Sequence, residues 1–341
     1  MNMIATGSAL AERAPLPDPL IAAGIRYLVS RTDRQLALAD PASERAFAES
    51  MRTRPIAEFT DDANAQHYEL PPSFFELILG PRRKYSSCLY PTGNETLAEA
   101  EECALGETAM RAELADGQNI LELGCGWGSL TLWMAEHYPR SRITAVSNSA
   151  SQRNHIRRAA AERGLSNVEV ITADMNDFTT DDAFDRVVSV EMFEHMANWR
   201  ALLTRIRGWL KPDGKLFLHV FTHRCASYRF EVDDSADWIA KYFFTGGLMP
   251  SQSLIRQFDD IFTLDYEWRW SGDHYRRTAL HWLANYDRNA TAIMAILRDV
   301  YGEDAPLWRR RWRIFFLATA GLFGHAKGAE WGVGHFLLKP A

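Results

Sequence analysis

The stretch Ile120-Leu121-Glu122-Leu123-Gly124-Cys125-Gly126-Trp127-Gly128-Ser129-Leu130 decides the fold. An apolar run ends in glycines at alternate positions, and an amphipathic segment, Leu130 to His137, follows it. That order predicts a buried strand, a tight turn and a helix. Glycines in such a turn let the backbone pass close to a ligand, with amides near the helix N-terminus turned towards it. A dinucleotide fingerprint needs its third glycine one place later, where Ser129 stands, which disfavours a nicotinamide oxidoreductase.

Working outward, strands and helices alternate from Gln118 onward. Strands are expected at Asn119–Leu123, Arg142–Ser147, Val168–Thr172, Phe184–Val190 and Lys215–Val220. Helices are expected at Ser129–His137, Ser149–Arg163 and Trp199–Trp209, and Lys211-Pro212-Asp213-Gly214 reads as a turn before the fifth strand. This is the pattern of a parallel α/β sheet. After His223 the alternation breaks. Residues 224–260 read as an insertion or lid, then come an aromatic strand, Phe262–Trp270, helices at about 273–301 and 305–322, and a last strand, Trp331–Leu338. Ahead of the sheet, residues 1 to about 60 read as helical. Pro71-Pro72-Ser73 starts a short helix that Gly80-Pro81 stops, and Asn94 or Thr96 caps an acidic helix, Leu97 to Leu114. The expected organisation is a helical N-terminal cap over residues 1–115 and a core over 116–341, with a lid and substrate insertion at about 224–325.

Composition narrows the function classes. The chain has 341 residues, enough to bury a large core, and its net charge of −6 gives no electrostatic case for a nucleic-acid partner. No run is long and apolar enough to span a bilayer, and the N-terminus lacks the apolar region of a secretory signal. Cys88, Cys103, Cys125 and Cys225 show neither metal-type pairing nor a disulfide rhythm, so a reduced, cytoplasmic setting is expected. The histidines lack metal-ligand spacing, and no metal is expected.

Several motifs occur in order: His67-Tyr68-Glu69-Leu70-Pro71-Pro72, Lys84-Tyr85-Ser86-Ser87-Cys88-Leu89, the glycine bend with Trp127, Ser147 to Gln152, Glu191-Met192-Phe193-Glu194-His195, and Leu218-His219. On these motifs, over roughly residues 60 to 340, the chain resembles the cyclopropane-fatty-acyl-phospholipid synthase superfamily of methyltransferases, within it the coclaurine and pavine N-methyltransferase branch. The resemblance implies a class I methyltransferase, Rossmann-like α/β sheet with a helical N-terminal cap and a helical insertion before the last strand. It also implies S-adenosyl-L-methionine as cofactor, S-adenosyl-L-homocysteine as product, a small-molecule acceptor, and the homodimer found among relatives.

The resemblance assigns the cofactor to Glu122, Gly124, Gly126 and Gly128, with Tyr68, Tyr85 and Ser86 folding over it. The second strand ends without a carboxylate, which leaves Ser147, Asn148 and Gln152 as ribose contacts, and Asp174-Met175 takes the adenine position. Methyl transfer from a sulfonium is a one-step displacement, so the protein must position the nucleophile and remove its proton. An amine is mostly ammonium at neutral pH; carboxylates attract it and a histidine can accept its proton. The resemblance implies Glu194 and His195 as that base pair, and Glu191 is expected to orient the ammonium. If the segment turns helically, offsets of three and four bring Glu191 near both. Ser87, His219, His223, Tyr228, Trp238, Tyr275 and Trp331 are the expected acceptor side.

The alternative is methylation of a lipid double bond, with peripheral lipid contact. The synthases hold a bicarbonate as base with a Cys, the Glu, a His and a Tyr. Glu194, His219 and Tyr275 match three of these positions. The cysteine position falls on Ser87, one residue before Cys88, and Glu191 stands where lipid enzymes carry a small or neutral residue. Both departures favour a heteroatom acceptor.

Overall fold

A computed structural model describes residues 11–58, 70–230 and 238–341. Five strands, β1 (Asn119–Leu123), β2 (Arg142–Ser147), β3 (Val168–Thr172), β4 (Phe184–Val190) and β5 (Leu210–His223), pair in parallel. Tyr228–Arg229 (β6) and Leu248–Met249 (β7) form a separate two-stranded ribbon. The last two strands, β8 (Phe262–Ser271) and β9 (Trp331–Pro340), complete a seven-stranded sheet of order β3-β2-β1-β4-β5-β9-β8, in which β9 is antiparallel to both neighbours. This is the class I methyltransferase sheet expected from the motifs.

The strands are apolar on both faces because helices cover both. Leu121, Leu123, Val187, Leu216 and Leu218 pack on one side against Trp199, Leu202, Leu203 and Ile206 of helix Trp199–Trp209. Ile120, Ile143, Val188, Phe217 and Leu337 pack on the other against Leu105 and Ala109, and against Leu130, Trp133 and Met134 of the helix that follows the glycine bend. Glu122 shares the face of Ile120, because strand side chains alternate. Strand order reverses between β1 and β4, and the carboxyl ends of strands flanking such a point form a crevice.

Helices are numbered here in chain order: α1 (Asp18–Leu36), α2 (Pro41–Ser50), α3 (Pro72–Ile78), α4 (Leu97–Arg111), α5 (Ser129–His137), α6 (Ala150–Glu162), α7 (Trp199–Trp209), α8 (Trp238–Tyr242), α9 (Gly272–Arg288), α10 (Ala290–Tyr301) and α11 (Ala305–Phe323). Thr96 caps α4 in a reciprocal box with Glu99. An aromatic cluster joins α3 to the late helices through Phe74, Phe75, Trp282, Tyr286, Trp312 and Phe316. It ties the N-terminal segment to the excursion between β8 and β9.

Two details differ from the sequence reading. The Lys211–Gly214 turn does not precede β5 but bulges within it: Phe184 pairs with Leu210, and Arg186 next pairs with Lys215. The long helix expected at 273–301 is two helices broken at Asn289, whose Nδ2 donates to the Leu77 carbonyl at 2.8 Å. That side chain caps the end of α3, a role invisible to helical periodicity.

Gly272 opens α9 against bare backbone: a Cβ there would lie 2.2 Å from the Trp331 carbonyl oxygen and 2.3 Å from that of Phe323. Gly106, inside α4, has nothing within 4 Å of such an atom. Gly272→Ala is therefore expected to lower stability by about 2 kcal/mol, and Gly106→Ala to raise it by about 0.5–1 kcal/mol. Denaturant midpoints of the two variants should move in opposite directions; equal shifts would contradict the packing described.

Candidate active site

The crevice at the strand ends has two lobes. One, of about 790 Å³ and open to solvent, is lined by Gly124, Gly126, Ser147, Asn148, Gln152, Asp174, Met175, Glu191 and His195. The other, of about 600 Å³, is lined by Tyr85, Ser86, Glu122, Gly124, Gly126, Trp127, Ser129, Gln152 and Glu191. They meet at Gly124, Gly126, Gln152 and Glu191. Most of the residues expected on the cofactor side are thus brought together; Tyr68 lies outside the described residues.

The bend is built for close approach. Gly124, Gly126 and Gly128 have φ of 81°, 52° and 82°, a region that glycine alone enters without strain. Side chains at Gly124 and Gly128 would collide with Met192 and Ile156, whereas space beside Gly126 is open. Ser147 Oγ donates to Gln152 Oε1 at 2.6 Å, which leaves the buried Gln152 Nε2 a donor without a protein partner. Ser129 Oγ is likewise buried and unpaired. Asp174 turns its own loop by accepting from the Asn176 amide at 2.7 Å. Glu122 accepts from Thr131 Oγ1, and burial pushes its carboxyl up to about 8. These groups can hold an elongated ligand with hydroxyls at one end and a cationic amine at the other.

Glu191 dominates the junction. Its φ of 48° is left-handed, an unusual state for a residue with a side chain. Its amide donates to the His219 carbonyl at 2.8 Å, so the backbone leaves β4 and turns the side chain back across the sheet. The carboxylate is then gripped from three directions. Ser87 N–H donates to Oε1 at 2.9 Å, His219 Nε2 lies 3.1 Å from Oε1, and Tyr275 Oη donates to Oε2 at 2.7 Å. Burial raises its pKa, while the Lys84 ammonium, the Ser87 amide and Tyr275 oppose the rise.

The helical-offset expectation for this motif is corrected. Only Phe193–His195 forms a single 3-10 turn, and Glu191 lies outside it. Glu194 is buried and absent from the cleft lining: Oε1 accepts from the Phe221 amide at 2.6 Å and Oε2 has no hydrogen-bond partner. Burial, reinforced by Glu191, pushes its carboxyl well above the usual range. His195 does line the cleft, its ring 4.4 Å from that of Phe244.

The expected acceptor residues separate. Ser87, His219 and Tyr275 converge on Glu191. His223, Tyr228, Trp238 and Trp331 do not line either lobe. Trp331 Nε1 donates to Tyr228 Oη at 3.1 Å, and Trp238 Nε1 to Glu12 Oε1 at 2.6 Å. His223 Nδ1 accepts from the amides of Ala226 (3.1 Å) and Cys225 (3.4 Å). Its proton therefore sits on Nε2, so that although Asp33 and Glu330 lie close by, the ring faces them as a donor and not as a metal ligand.

Sequence reasoning missed the groups that hold the loop in place. Glu101 of α4 accepts from the amides of Gly80, Arg82 and Lys84 at 2.8–3.1 Å. Lys84, buried, donates from Nζ to Ser86 Oγ and the Ser87 carbonyl, both at 2.6 Å. Cys88 lines neither lobe: its amide donates to Thr278 Oγ1 at 3.0 Å, its thiol to the Ser86 carbonyl at 3.8 Å, and burial pushes the thiol up to about 12. No spacing rule links α4 to a loop about 20 residues earlier.

Comparison with known proteins places the chain among relatives of known family. Residues 58–326 match the family described as mycolic acid cyclopropane synthetase. The chain is 38% identical to (S)-coclaurine N-methyltransferase of Thalictrum flavum subsp. glaucum over 295 residues, 85% of this chain and 82% of that protein. It is 32% identical over 263 residues to the cyclopropane-fatty-acyl-phospholipid synthase of Escherichia coli K12, covering 76% of this chain and 63% of that one. A crystal structure of coclaurine N-methyltransferase bound to N-methylheliamine and S-adenosylhomocysteine superposes with a TM-score of 0.92 at 34% identity, covering 97% and 98% of the two chains. With the family match spanning well over half its length, this chain belongs to the mycolic acid cyclopropane synthetase family.

Proposed function

We propose that the protein is an S-adenosylmethionine-dependent methyltransferase that methylates the amine nitrogen of a small aromatic, alkaloid-like acceptor. The observation that carries the reading is the Glu191 carboxylate, its side chain 7% exposed, at the junction of the two lobes, with His195 on the wall of the first. The likeness to coclaurine N-methyltransferase supports it. Among the described residues no helix is long and apolar enough to cross a membrane. The four unpaired thiols support a reduced, cytoplasmic setting, and the family resemblance supports a homodimer.

The cleft fits S-adenosylmethionine on its own terms. The unpaired Gln152 Nε2, with Ser147 and Asn148, suits ribose hydroxyls, and Asp174 with Met175 suits the adenine. Glu122, uncharged in part at neutral pH, ionises readily when an amino group approaches. Once bound, the cofactor supplies an electrophilic methyl on a cationic sulfur. Glu191 holds the acceptor ammonium by charge, and the acceptor's positive charge in turn favours the ionised carboxylate. His195 takes the ammonium proton and exposes the lone pair. Glu194 lies off the cleft lining, and burial together with the neighbouring Glu191 pushes its carboxyl well above the usual range.

The lipid alternative needs a bicarbonate between the Ser87 loop, His219 and Tyr275. Those donors already serve the Glu191 side chain, which favours the amine. Transfer of labelled methyl to aromatic-ring amines is therefore expected without added bicarbonate; bicarbonate-dependent turnover on unsaturated phospholipid alone would reverse the assignment.

His195→Ala should cut amine methylation about 10²-fold or more and leave S-adenosylhomocysteine affinity intact. Unchanged turnover removes His195 from the mechanism. In calorimetry S-adenosylhomocysteine should bind and NAD should not; the opposite pattern refutes the cofactor assignment. Because the Glu191 carboxyl is raised by burial, its charge is lost as pH falls through a value above the ordinary ~4.3. The acid limb of kcat/KM should carry this ionisation as well as that of the base His195, and Glu191→Gln should remove only the carboxyl's contribution and leave a shallower limb. An unaltered acid limb in that variant excludes Glu191 as a titrating group.

A further inference from the structure

Behind Glu191 runs a chain of hydrogen bonds that the proposed reaction does not require. His219 in β5 and His335 in β9 are register partners, both fully buried. His219 Nε2 meets Glu191 Oε1 at 3.1 Å, His219 Nδ1 meets His335 Nε2 at 2.9 Å, and His335 Nδ1 meets Arg111 Nη1 at 2.9 Å. Arg111 ends α4, lies over the rings of Trp268 and Trp270, and pairs with Glu107 at 2.6 Å. All four ring nitrogens of the two histidines are thereby used.

The order of donors follows from one fact: a guanidinium has no lone pair and can only donate. His335 Nδ1 must therefore accept, which puts the His335 proton on Nε2. That proton is donated to His219 Nδ1, which puts the His219 proton on Nε2, facing Glu191. A second proton on His219 would need His335 Nε2 as an acceptor, and hence a proton on His335 Nδ1 facing the Arg111 N–H. We propose that Arg111 and His335 are positioning residues that lock His219 as a permanent Nε2–H donor to Glu191, so that no proton from the acceptor leaves through His219.

The electrostatic surroundings agree. His219 faces Lys84 and Arg111 as well as Glu191, His335 faces Arg111, Lys84 and His219, and burial with these cations drives both imidazoles well below their ordinary range. Glu191 itself faces Lys84, Ser87, Tyr275, His219 and Glu194. The lock makes His219 a fixed dipole that favours the ionised carboxylate. It separates two tasks: Glu191 carries charge, and the proton goes to His195.

This inference rests on the reading of Glu191 as the acceptor's anchor, but tautomers can be read without turnover, so the two fail separately. The experiment uses the full chain labelled with 15N-histidine, and long-range 1H–15N correlation spectra from about pH 6 to 9. The expected result is two buried rings, each protonated on Nε2 and bare on Nδ1 throughout. A wild-type His219 found protonated on Nδ1, or cationic in that range, overturns the proposal without any variant. In Arg111→Met both tautomers should appear, kcat/KM should fall about tenfold, and its acid limb should move up by about one pH unit. Arg111→Lys, which still only donates, should restore the tautomer and most of the shift. An Arg111→Met protein that folds and keeps the wild-type tautomers and pH profile also overturns it.

Discussion

The site depends on one constraint, the grip on the Glu191 carboxylate. A left-handed backbone at the end of β4 throws this side chain across the sheet, where an amide, an imidazole and a phenol from three separate segments receive it. A buried carboxylate without such partners would lose its charge to desolvation. Here the Ser87 amide, the Tyr275 hydroxyl and the nearby Lys84 ammonium oppose that loss. Loop, sheet and excursion are each needed: Ser87 comes from the loop before α4, His219 from β5 and Tyr275 from α9.

That dependence explains why a helical N-terminal segment and a helical excursion surround an otherwise ordinary sheet. The aromatic cluster of α3, α9 and α11 brings the Ser87 loop against α9, and Glu101 and Lys84 fix the loop's shape from within. Cys88 lines neither lobe, whereas the Glu191 carboxylate lies where the two lobes meet. The Phe244 ring, 4.4 Å from that of His195, puts one aromatic face next to the lining.

The sheet was largely legible in the sequence, because buried parallel strands read as short apolar runs and the turns between them carry their own signals. The glycine bend was legible for the same reason: alternating glycines have few uses besides close backbone approach. What could not be read was direction. The Glu191–His195 spacing suggested one helical face, yet a single residue at positive φ sends Glu191 and Glu194 to different environments. Trp331 and Trp238 looked like pocket walls by composition, but their indole N–H groups are spent on Tyr228 and Glu12. Arg111 and His335 gave no signal at all, since they meet His219 only through the pairing of β5 with β9.

On the proposed function, the gripped Glu191 carboxylate, and no added anion, receives the cationic acceptor. A crystal structure of the protein with S-adenosylhomocysteine and an aromatic-ring amine tests it most directly. The amine nitrogen should lie within hydrogen-bond distance of Glu191, on the line towards the sulfur, with His195 beside it. An amine seated elsewhere, or a bicarbonate held among Ser87, His219 and Tyr275 with Glu191 displaced, would contradict the account.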